Sequence, residues 1–243
     1  MQRINQAFKL FFTISIASTL FSCNADKKES AKEEPVQTSD TATNMKMAPE
    51  PVFTPFDMAE ISHSVKDYAK WRPFFNTDST TRKAIGMKDI VVGRSNDKPN
   101  NVVIALQVSD VQKAKDFGAN PRLKEVMDKA GVTSKPTIDF YHVIRFNAES
   151  KEKQWVLVTH KVKDFDAWLK VFDDEGTANR AGQGLIDVVL ARGIDDPNIV
   201  HLVFDIKDMS KAKASILSEE KKKLMMSAGV VGVPQIEFYT TAE

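Results

Sequence analysis

The chain contains one stretch twice, and this duplication constrains the fold more than any other feature. Residues 63–71 and 160–168 share a histidine, a valine, an aspartate, an aromatic residue and a tryptophan at matching positions. From Arg82 onward the two copies stay in step without a further gap, as far as Tyr141 and Tyr239. A long fixed period of this kind indicates one supersecondary unit in tandem. The sequence therefore predicts two similar modules.

Each module is predicted to contain its elements in the order β-α-β-β-α-β, which is the ferredoxin-like split pattern. The first strand of the second module, at 155–160, is apolar on successive residues, as in a strand that is buried on both faces. Asp67 and Asp164 are suited to cap the helix that follows each first strand. Turn-forming residues at 97–100 and 195–198 indicate β-hairpins between the second and third strands.

The helices carry further signals. In the first helix of each module, aromatic residues at i, i+3 and i+7 predict one aromatic face. Pro73 lies inside the first copy of this helix and is expected to bend or shorten it. Asn120 followed by Pro121 indicates a new helix start, so the second helix of the first module is expected to be broken in two. Pro136 and Pro234 are expected to precede the last strands.

A single module of this kind would leave one face of its sheet in water, because two helices cover only the other face. Burying about a dozen mostly apolar side chains on the bare face is worth roughly 20–30 kcal/mol as an upper bound. A tethered second copy can cover that face at a high effective concentration. We therefore predict an α+β protein in which modules 56–148 and 149–243 close one intrachain pseudo-twofold α/β barrel, as a monomer with an internal pseudo-dimer. The alternative is that each module pairs with another chain.

Residues 1–22 belong to neither module. Arg3 and Lys9 give a positive start, and the apolar run at 10–21 is too short to span a bilayer. The Leu-Phe-Ser-Cys sequence that ends at Cys23 resembles the lipobox of bacterial lipoproteins. That resemblance implies cleavage before Cys23 and acylation of its thiol and new amino terminus. The alternatives are an incidental thiol near a plain signal-peptidase site, or an uncleaved anchor.

Residues 23–55 are rich in Lys, Glu, Ser, Thr, Ala and Pro and have no apolar periodicity. Such a segment cannot bury enough surface to offset the entropy of ordering, so it is predicted to be a disordered tether. Several acyl chains, at about 0.8 kcal/mol per buried methylene, would hold the protein stably at a membrane. The expected location is the cell envelope, at the periplasmic or outer-membrane face.

Charge and cysteine content exclude several classes of function. The formal net charge of the whole chain is +1, and removal of the leader makes it slightly negative, so there is no electrostatic basis for binding nucleic acid. Cys23 is the only cysteine, which excludes an intramolecular disulfide and a cysteine-based metal site. We find no nucleophile elbow, phosphate-binding glycine loop, nucleotide fingerprint or zinc signature. No metal or cofactor is expected.

Histidines supply one set of candidate site residues. His63 and His160 occupy equivalent positions, where the first strand of each module meets its first helix. A neutral imidazole there could act as a general base or a metal ligand, or as a hydrogen-bonded group that fixes the corner. His142 and His201 have no counterpart in the other copy and are expected at the surface or lining the barrel.

Two aspartates supply the second set. Asp89 and Asp187 each lie within an apolar strand, where a carboxylate must face water, pair with a cation or have a raised pKa in a cavity. Arg82 and Arg180 lie just ahead of these strands. The two hypotheses are a structural ion pair and a catalytic carboxylate.

Tyrosines form the third set. Tyr141 and Tyr239 lie at equivalent positions in the last strands. Their hydroxyl groups could hydrogen-bond an aromatic ligand inside the barrel, and packing in the core is the alternative role.

Several of these motifs together resemble a known superfamily. The matching residues are His160, Val162, Asp164, Phe165, Trp168, Phe172 and Asp173, the turn at 195–198, and Ala228, Gly229, Val230 and Pro234. They are similar to the dimeric α/β-barrel superfamily, specifically its small proteins similar to antibiotic biosynthesis monooxygenases. The resemblance covers about residues 56–243 and is closer in the second module. It implies the fold, whereas activities in the superfamily range from cofactor-free oxygenases and haem-degrading enzymes to decarboxylases and isomerases.

The polar residues that mark those oxygenases and haem degraders do not map onto this chain, so cofactor-dependent chemistry is not carried over. Two functional hypotheses follow. The first is a membrane-tethered binding or accessory module whose barrel holds a small apolar or aromatic ligand. The second is a cofactor-independent monooxygenase or isomerase that acts on an aromatic substrate.

Overall fold

The computed structural model describes residues 53–242, in which eight strands and eight helices follow one another. The strands are β1 (Phe56–Ser64), β2 (Met87–Ser95), β3 (Asn101–Val108), β4 (Thr137–Phe146), β5 (Gln154–Val162), β6 (Leu185–Gly193), β7 (Ile199–Ile206) and β8 (Val230–Thr241). The helices are α1 (Tyr68–Thr77), α2 (Ser79–Ala84), α3 (Val111–Gly118), α4 (Pro121–Ala130), α5 (Phe165–Glu175), α6 (Thr177–Gly182), α7 (Met209–Ile216) and α8 (Glu219–Ser227). None of these eight helices is long and apolar enough to cross a membrane. The predicted leader and the predicted tether up to residue 52 lie outside the described residues.

All eight strands form one closed barrel, in the order β1-β3-β2-β8-β5-β7-β6-β4. We call β1–β4 with α1–α4 the first module, and β5–β8 with α5–α8 the second. The modules meet at two antiparallel seams, β2 with β8 and β4 with β6. Each seam joins the second strand of one module to the last strand of the other, so the seams are equivalent. The predicted pseudo-twofold barrel of two ferredoxin-like modules is therefore confirmed, rather than modules that pair with other chains.

Each module keeps its own core between its sheet and its helices. The predicted aromatic face anchors this core, with Trp71 stacked on Phe75 and Trp168 stacked on Phe172 at ring-centroid distances of 5.2 and 5.1 Å. The predicted caps are present as well. Oδ1 of Asp67 accepts a hydrogen bond from a backbone N–H of α1, and Asp164 does the same for α5.

The opposite face of each sheet points into the barrel, where small residues face large ones. A Cβ atom on Gly93 would lie 2.3 Å from Cζ2 of Trp155, so this close approach requires glycine. At the equivalent place in the other half, Ala191 and Met58 lie in the same interior cluster. A larger residue on one strand is thus matched by a smaller one across the barrel.

Two details differ from the sequence prediction. Each strand-to-strand crossover contains two helices, so the break predicted only at Asn120 also occurs in the second module, where Ser218 caps α8. Pro136 precedes β4 as predicted, but β8 begins at Val230, ahead of Pro234. The pairing of β8 with β5 is irregular at this point, and Pro234 has no register partner there. The missing N–H of proline is tolerated at such an irregularity.

Candidate functional site

The predicted aspartate–arginine pairs form bidentate ion pairs on the helix side of the barrel wall. In the first module, Nε and Nη2 of Arg82 donate to the two carboxylate oxygens of Asp89 at 3.1 and 2.9 Å. Nη1 of Arg82 donates to the Phe75 carbonyl at 2.8 Å, and the guanidinium lies 3.7 Å from the centroid of the Phe75 ring. The pair ties the junction of α1 and α2 to strand β2.

The second module repeats this arrangement with shorter bonds. Arg180 donates to Asp187 at 2.8 and 2.6 Å, and to the Phe172 carbonyl at 2.8 Å. Both guanidinium groups are almost fully buried. Because charge, hydrogen bonds and ring stacking are all satisfied within the fold, this geometry fits the structural ion-pair hypothesis.

The paired histidines, His63 and His160, are buried beneath the helices. Each ring packs edge-on against a tryptophan, with centroids 5.5 Å from Trp71 and 5.6 Å from Trp168 respectively. Within residues 53–242, neither ring nitrogen of either histidine has a hydrogen-bond partner. The roles predicted for this corner, a general base, a metal ligand or a hydrogen-bonded group, therefore stay predictions. Burial lowers the pKa of both imidazoles to about 4, so both are neutral near pH 7.

His63 lines a large cavity of about 1060 Å³ between the sheet of the first module and helices α1, α3 and α4. We call it the helix-side cavity. Its walls are mainly apolar and include Ile61, Trp71, Ile104, Leu106, Phe117 and Ile138. The half-exposed ring of Phe74 also lines it. A mostly apolar cavity of this size with a few polar groups is typical of small-molecule sites.

One substitution between the copies helps to explain the space in the first module. The last residue of α3 is Gly118, which lines the cavity and contributes no side chain. The residue at the equivalent place in the repeat is Ile216, which is buried in the core of the second module. In the first module Ile138 packs close to this glycine, since a Cβ added at Gly118 would lie 2.8 Å from Cδ1 of Ile138.

A second cavity, of about 420 Å³, lies inside the barrel near the connection between β4 and β5. We call it the barrel cavity. Met58, Val103, Trp155 and Val203 are among its apolar walls, and it also contains Glu60 and His201. Because side chains alternate along a strand, Glu60 points into the barrel while His63, three residues later on β1, faces the helices.

Glu60 and His201 form the polar centre of the barrel. Nε2 of His201 lies 3.6 Å from Oε2 of Glu60, and Nδ1 of His201 lies 3.4 Å from the hydroxyl oxygen of Thr159. Burial, together with the negative charges of Asp139 and Glu237, raises the pKa of Glu60 to about 8. Burial lowers the pKa of His201 to about 3. Near neutral pH the carboxyl group is mainly protonated and the imidazole is neutral.

The predicted tyrosines also lie inside the barrel. The ring of Tyr141 is 4.2 Å from that of His201, and the ring of Tyr239 stacks on Trp155 at 4.7 Å. The Tyr239 hydroxyl donates to Glu237 at 2.6 Å. Burial, together with nearby carboxylates, raises the pKa of both phenols well above the usual value. Both side chains therefore remain neutral hydrogen-bonding groups.

The sequence predictions covered only part of the interior. Glu60, Asp139 and Glu237 were not among the predicted site residues, although the repeat contained a signal for one of them. The residue equivalent to Glu60 in the other copy is Leu157. A polar residue aligned with an apolar one in this way indicates a position where the two modules differ in function or packing. The fourth histidine, His142, lies at the surface and contacts a carboxylate.

Within residues 53–242, no group of three or more His, Cys, Asp or Glu side chains is arranged to hold a metal ion. Cys23, the predicted lipidation site, lies outside the described part of the chain. The arrangement can thus offer two apolar cavities, each with a neutral imidazole, and one of them with a buried carboxyl group.

Neither a protein-family model nor a curated protein sequence matches the chain. Solved structures do match it. A "putative monooxygenase" from Fusobacterium nucleatum is 11% identical with a TM-score of 0.54, over 79% of this chain and 94% of its own. One of the same description from Lactobacillus acidophilus is 14% identical with a TM-score of 0.51, over 78% and 94%.

An "anthrone oxidase-like protein" is 12% identical with a TM-score of 0.53, over 77% of this chain and 92% of its own. These shares correspond to nearly the whole described barrel, so the similarity includes both modules. At such low identities the similarity concerns the fold. The chain has the ferredoxin-like α/β-barrel fold of these monooxygenase-like proteins, as predicted.

Proposed function

We propose that this protein is a lipid-anchored binding module of the cell envelope, whose folded part holds a small apolar or aromatic molecule. The helix-side cavity carries the binding part of this proposal. Its volume of about 1060 Å³ suits a molecule of several fused rings. The sequence predicted a ligand inside the barrel, whereas the larger apolar cavity lies outside it, beneath the helices of the first module.

Binding is favoured over catalysis by the state of His63. An imidazole with a pKa of about 4 holds a proton about 3 kcal/mol less well than an ordinary histidine. A general base works best when its pKa lies near the working pH. His63 is therefore better suited to accept a hydrogen bond from a bound hydroxyl or N–H group than to remove a proton.

Binding can be tested with N-phenyl-1-naphthylamine, a neutral aromatic probe that fluoresces when it leaves water. We expect saturable binding, weakened about tenfold or more by Gly118→Ile, whose Cβ would displace Cδ1 of Ile138 from 2.8 Å and whose side chain would take up cavity space. A urea midpoint close to that of the parent shows that the variant keeps its fold. The matched control is Gly182→Ile, because Gly182 also ends a helix but has nothing within 4 Å of an added Cβ. The binding proposal fails if Gly118→Ile and the parent protein bind the probe equally, or if neither binds it.

The membrane part of the proposal rests on the sequence that ends at Cys23. In a bacterial host, metabolic labelling with palmitate should label the full chain, and detergent phase partition should place it with the membrane proteins. Cys23→Ala should remove the label and move the protein to the aqueous phase. Labelling that survives Cys23→Ala would overturn this assignment.

A second candidate function is a cofactor-independent oxygenase or isomerase that acts on an aromatic substrate in the same cavity. It is supported by the two unpartnered ring nitrogens of His63 in an apolar cavity and by the monooxygenase-type names of the structures that share the fold. Oxygen uptake with anthrone would test the oxygenase version. Turnover that is lost in His63→Phe but retained in His160→Phe would favour it, and absence of turnover would contradict it.

A further inference from the structure

The barrel cavity contains a polar pair that the fold itself does not require. The positions that correspond to Glu60 and His201 in the repeat are Leu157 and Val103, and these lie in one apolar cluster inside the barrel. One half of the barrel thus packs with two aliphatic side chains where the other half buries a carboxyl group and an imidazole. Burial of polar groups costs free energy unless they are hydrogen-bonded.

The imidazole of His201 is incompletely bonded. The residue is 0% exposed, it lines the barrel cavity, and its Nε2 has no hydrogen-bond partner. The distance of 3.6 Å from Nε2 to the Glu60 carboxyl oxygen is too long for a hydrogen bond. In the tautomer whose Nδ1–H donates to Thr159, Nε2 is an unused acceptor beside a carboxyl group.

Charge favours one class of ligand for these two acceptors. The ionisable groups that face Glu60 are two carboxylates, two phenols and the neutral imidazole of His201: Asp139 and Tyr141 on β4, Glu237 and Tyr239 on β8, and His201 on β7. Both carboxylates act unfavourably on a negative charge at Glu60. A positive charge placed in the cavity beside Glu60 would interact favourably with Glu60, Asp139 and Glu237. An anion there would be repelled by the same groups.

Aromatic rings complete the surroundings of this position. Tyr141 lies beside His201, and Trp155 lies along the cavity wall. Aromatic faces stabilise nearby cations. Two lysines and two acidic residues of the β4–β5 connection and β7 also line this cavity, and their charges balance: Lys151, Lys153, Glu152 and Asp205. The remaining walls are largely apolar, which suits a hydrocarbon body attached to a single charged group.

We propose that the barrel cavity binds a small organic cation, a primary alkyl- or arylalkyl-ammonium ion, whose N–H groups donate to the carboxylate of Glu60 on the cavity side of the Glu60–His201 pair. This site lies on the opposite face of the sheet from the helix-side cavity. The proposal therefore goes beyond the proposed function, because ligand binding can be absent from either cavity while the other cavity still binds.

Proton release provides a readout that simple apolar binding does not share. Because Glu60 is mainly protonated near pH 7, it must lose its proton to form an ion pair with the ammonium group. The tyrosine hydroxyls nearby keep their protons, since their pKa values are raised. Binding should thus release close to one proton per ligand at pH 7.

The experiment is isothermal titration of the full folded protein with benzylammonium chloride and, separately, benzyl alcohol. We expect benzylammonium to bind at least about tenfold more tightly than the alcohol. We also expect its binding heat to differ between phosphate and HEPES buffers, neither of which contains a primary ammonium group, by the amount that corresponds to about one released proton. Glu60→Gln should weaken binding about tenfold or more and remove the buffer dependence.

The control is Glu219→Gln, which changes an exposed glutamate on α8 and should leave binding unchanged. A second variant tests whether loss of binding comes from loss of the site or from misfolding. The double change Glu60→Leu with His201→Val copies the packing of Leu157 and Val103, so it should fold and lose the site. The proposal is wrong if benzyl alcohol binds as well as the ammonium ion, if the double variant binds normally, or if no binding is seen up to about 10 mM.

Discussion

Oε2 of Glu60 and Nε2 of His201 lie 3.6 Å apart across the barrel interior, although the two residues belong to different modules. Neither module alone contains this pair. Its counterpart in the pseudo-twofold is the apolar pair of Leu157 and Val103. The closed barrel therefore does more than cover two apolar faces, because it also creates one polar position that the symmetry of the fold does not repeat.

The first prediction concerns the pH dependence of stability. The pKa of Glu60 is about 8 in the folded protein and near 4.5 when unfolded, so its stabilising effect is lost as pH rises through about 8. Glu60→Gln should remove this loss. Between pH of about 7 and 9, the parent should lose on the order of 1–1.5 kcal/mol more unfolding free energy than the variant.

Urea denaturation at several pH values measures this difference. The buried histidines, whose pKa values are lowered, destabilise the fold only as pH falls below about 6.5, so the alkaline range isolates Glu60. If the unfolding free energies of the parent and Glu60→Gln change in parallel with pH above about 7, then Glu60 is not protonated in the folded state.

The second prediction is that the two modules unfold together. Trp71 and Trp168 lie in the helix-side cores of the first and second modules, and Trp155 lies in the barrel interior. In variants that keep one tryptophan and carry phenylalanine at the other two positions, fluorescence should report the same urea midpoint as circular dichroism. The reason is that loss of either module exposes the inner sheet face of the other. A separate, earlier midpoint for Trp71 or Trp168 would contradict a single cooperative barrel.

The third prediction concerns the buried arginines. Asp187→Asn should lower the unfolding free energy by about 1–3 kcal/mol, because it removes the bidentate carboxylate partner of the buried Arg180 and leaves only the longer 3.6 Å pair with Glu175. Asp89→Asn should cost less, since Asp89 is 44% exposed against 30% for Asp187 and its bonds are longer. Thermal and urea unfolding of both variants would show which substitution causes the larger loss of unfolding free energy. Equal losses, or a larger loss for Asp89→Asn, would contradict the claim that the more buried pair contributes more to stability.

The fourth prediction concerns the matched packing inside the barrel. Gly93→Ala should cost about 1–3 kcal/mol, because the new Cβ would lie 2.3 Å from the Trp155 ring. Adding Trp155→Met to Gly93→Ala recreates the combination found at Ala191 and Met58. The double variant should be more stable than the sum of the single effects, by about 1 kcal/mol. Strict additivity in a double-mutant cycle would show that the two positions pack independently.

The sequence by itself determined the duplication, the order of elements, the helix caps at Asp67 and Asp164 and the pairing of Arg82 with Asp89. These features depend on neighbouring residues or on a repeat, so local chemistry and the alignment of the two copies are sufficient to predict them. The closed barrel also followed from the need to cover two apolar sheet faces.

Only the tertiary structure decided which side chains meet. The contact of Glu60 with His201 depends on strand register across the whole barrel, and a shift of one residue would turn either side chain to the other face. The helix-side cavity likewise depends on how α3 packs where Gly118 stands in place of Ile216. Packing distances of this kind arise from many distant residues together, and no local pattern in the chain encodes them.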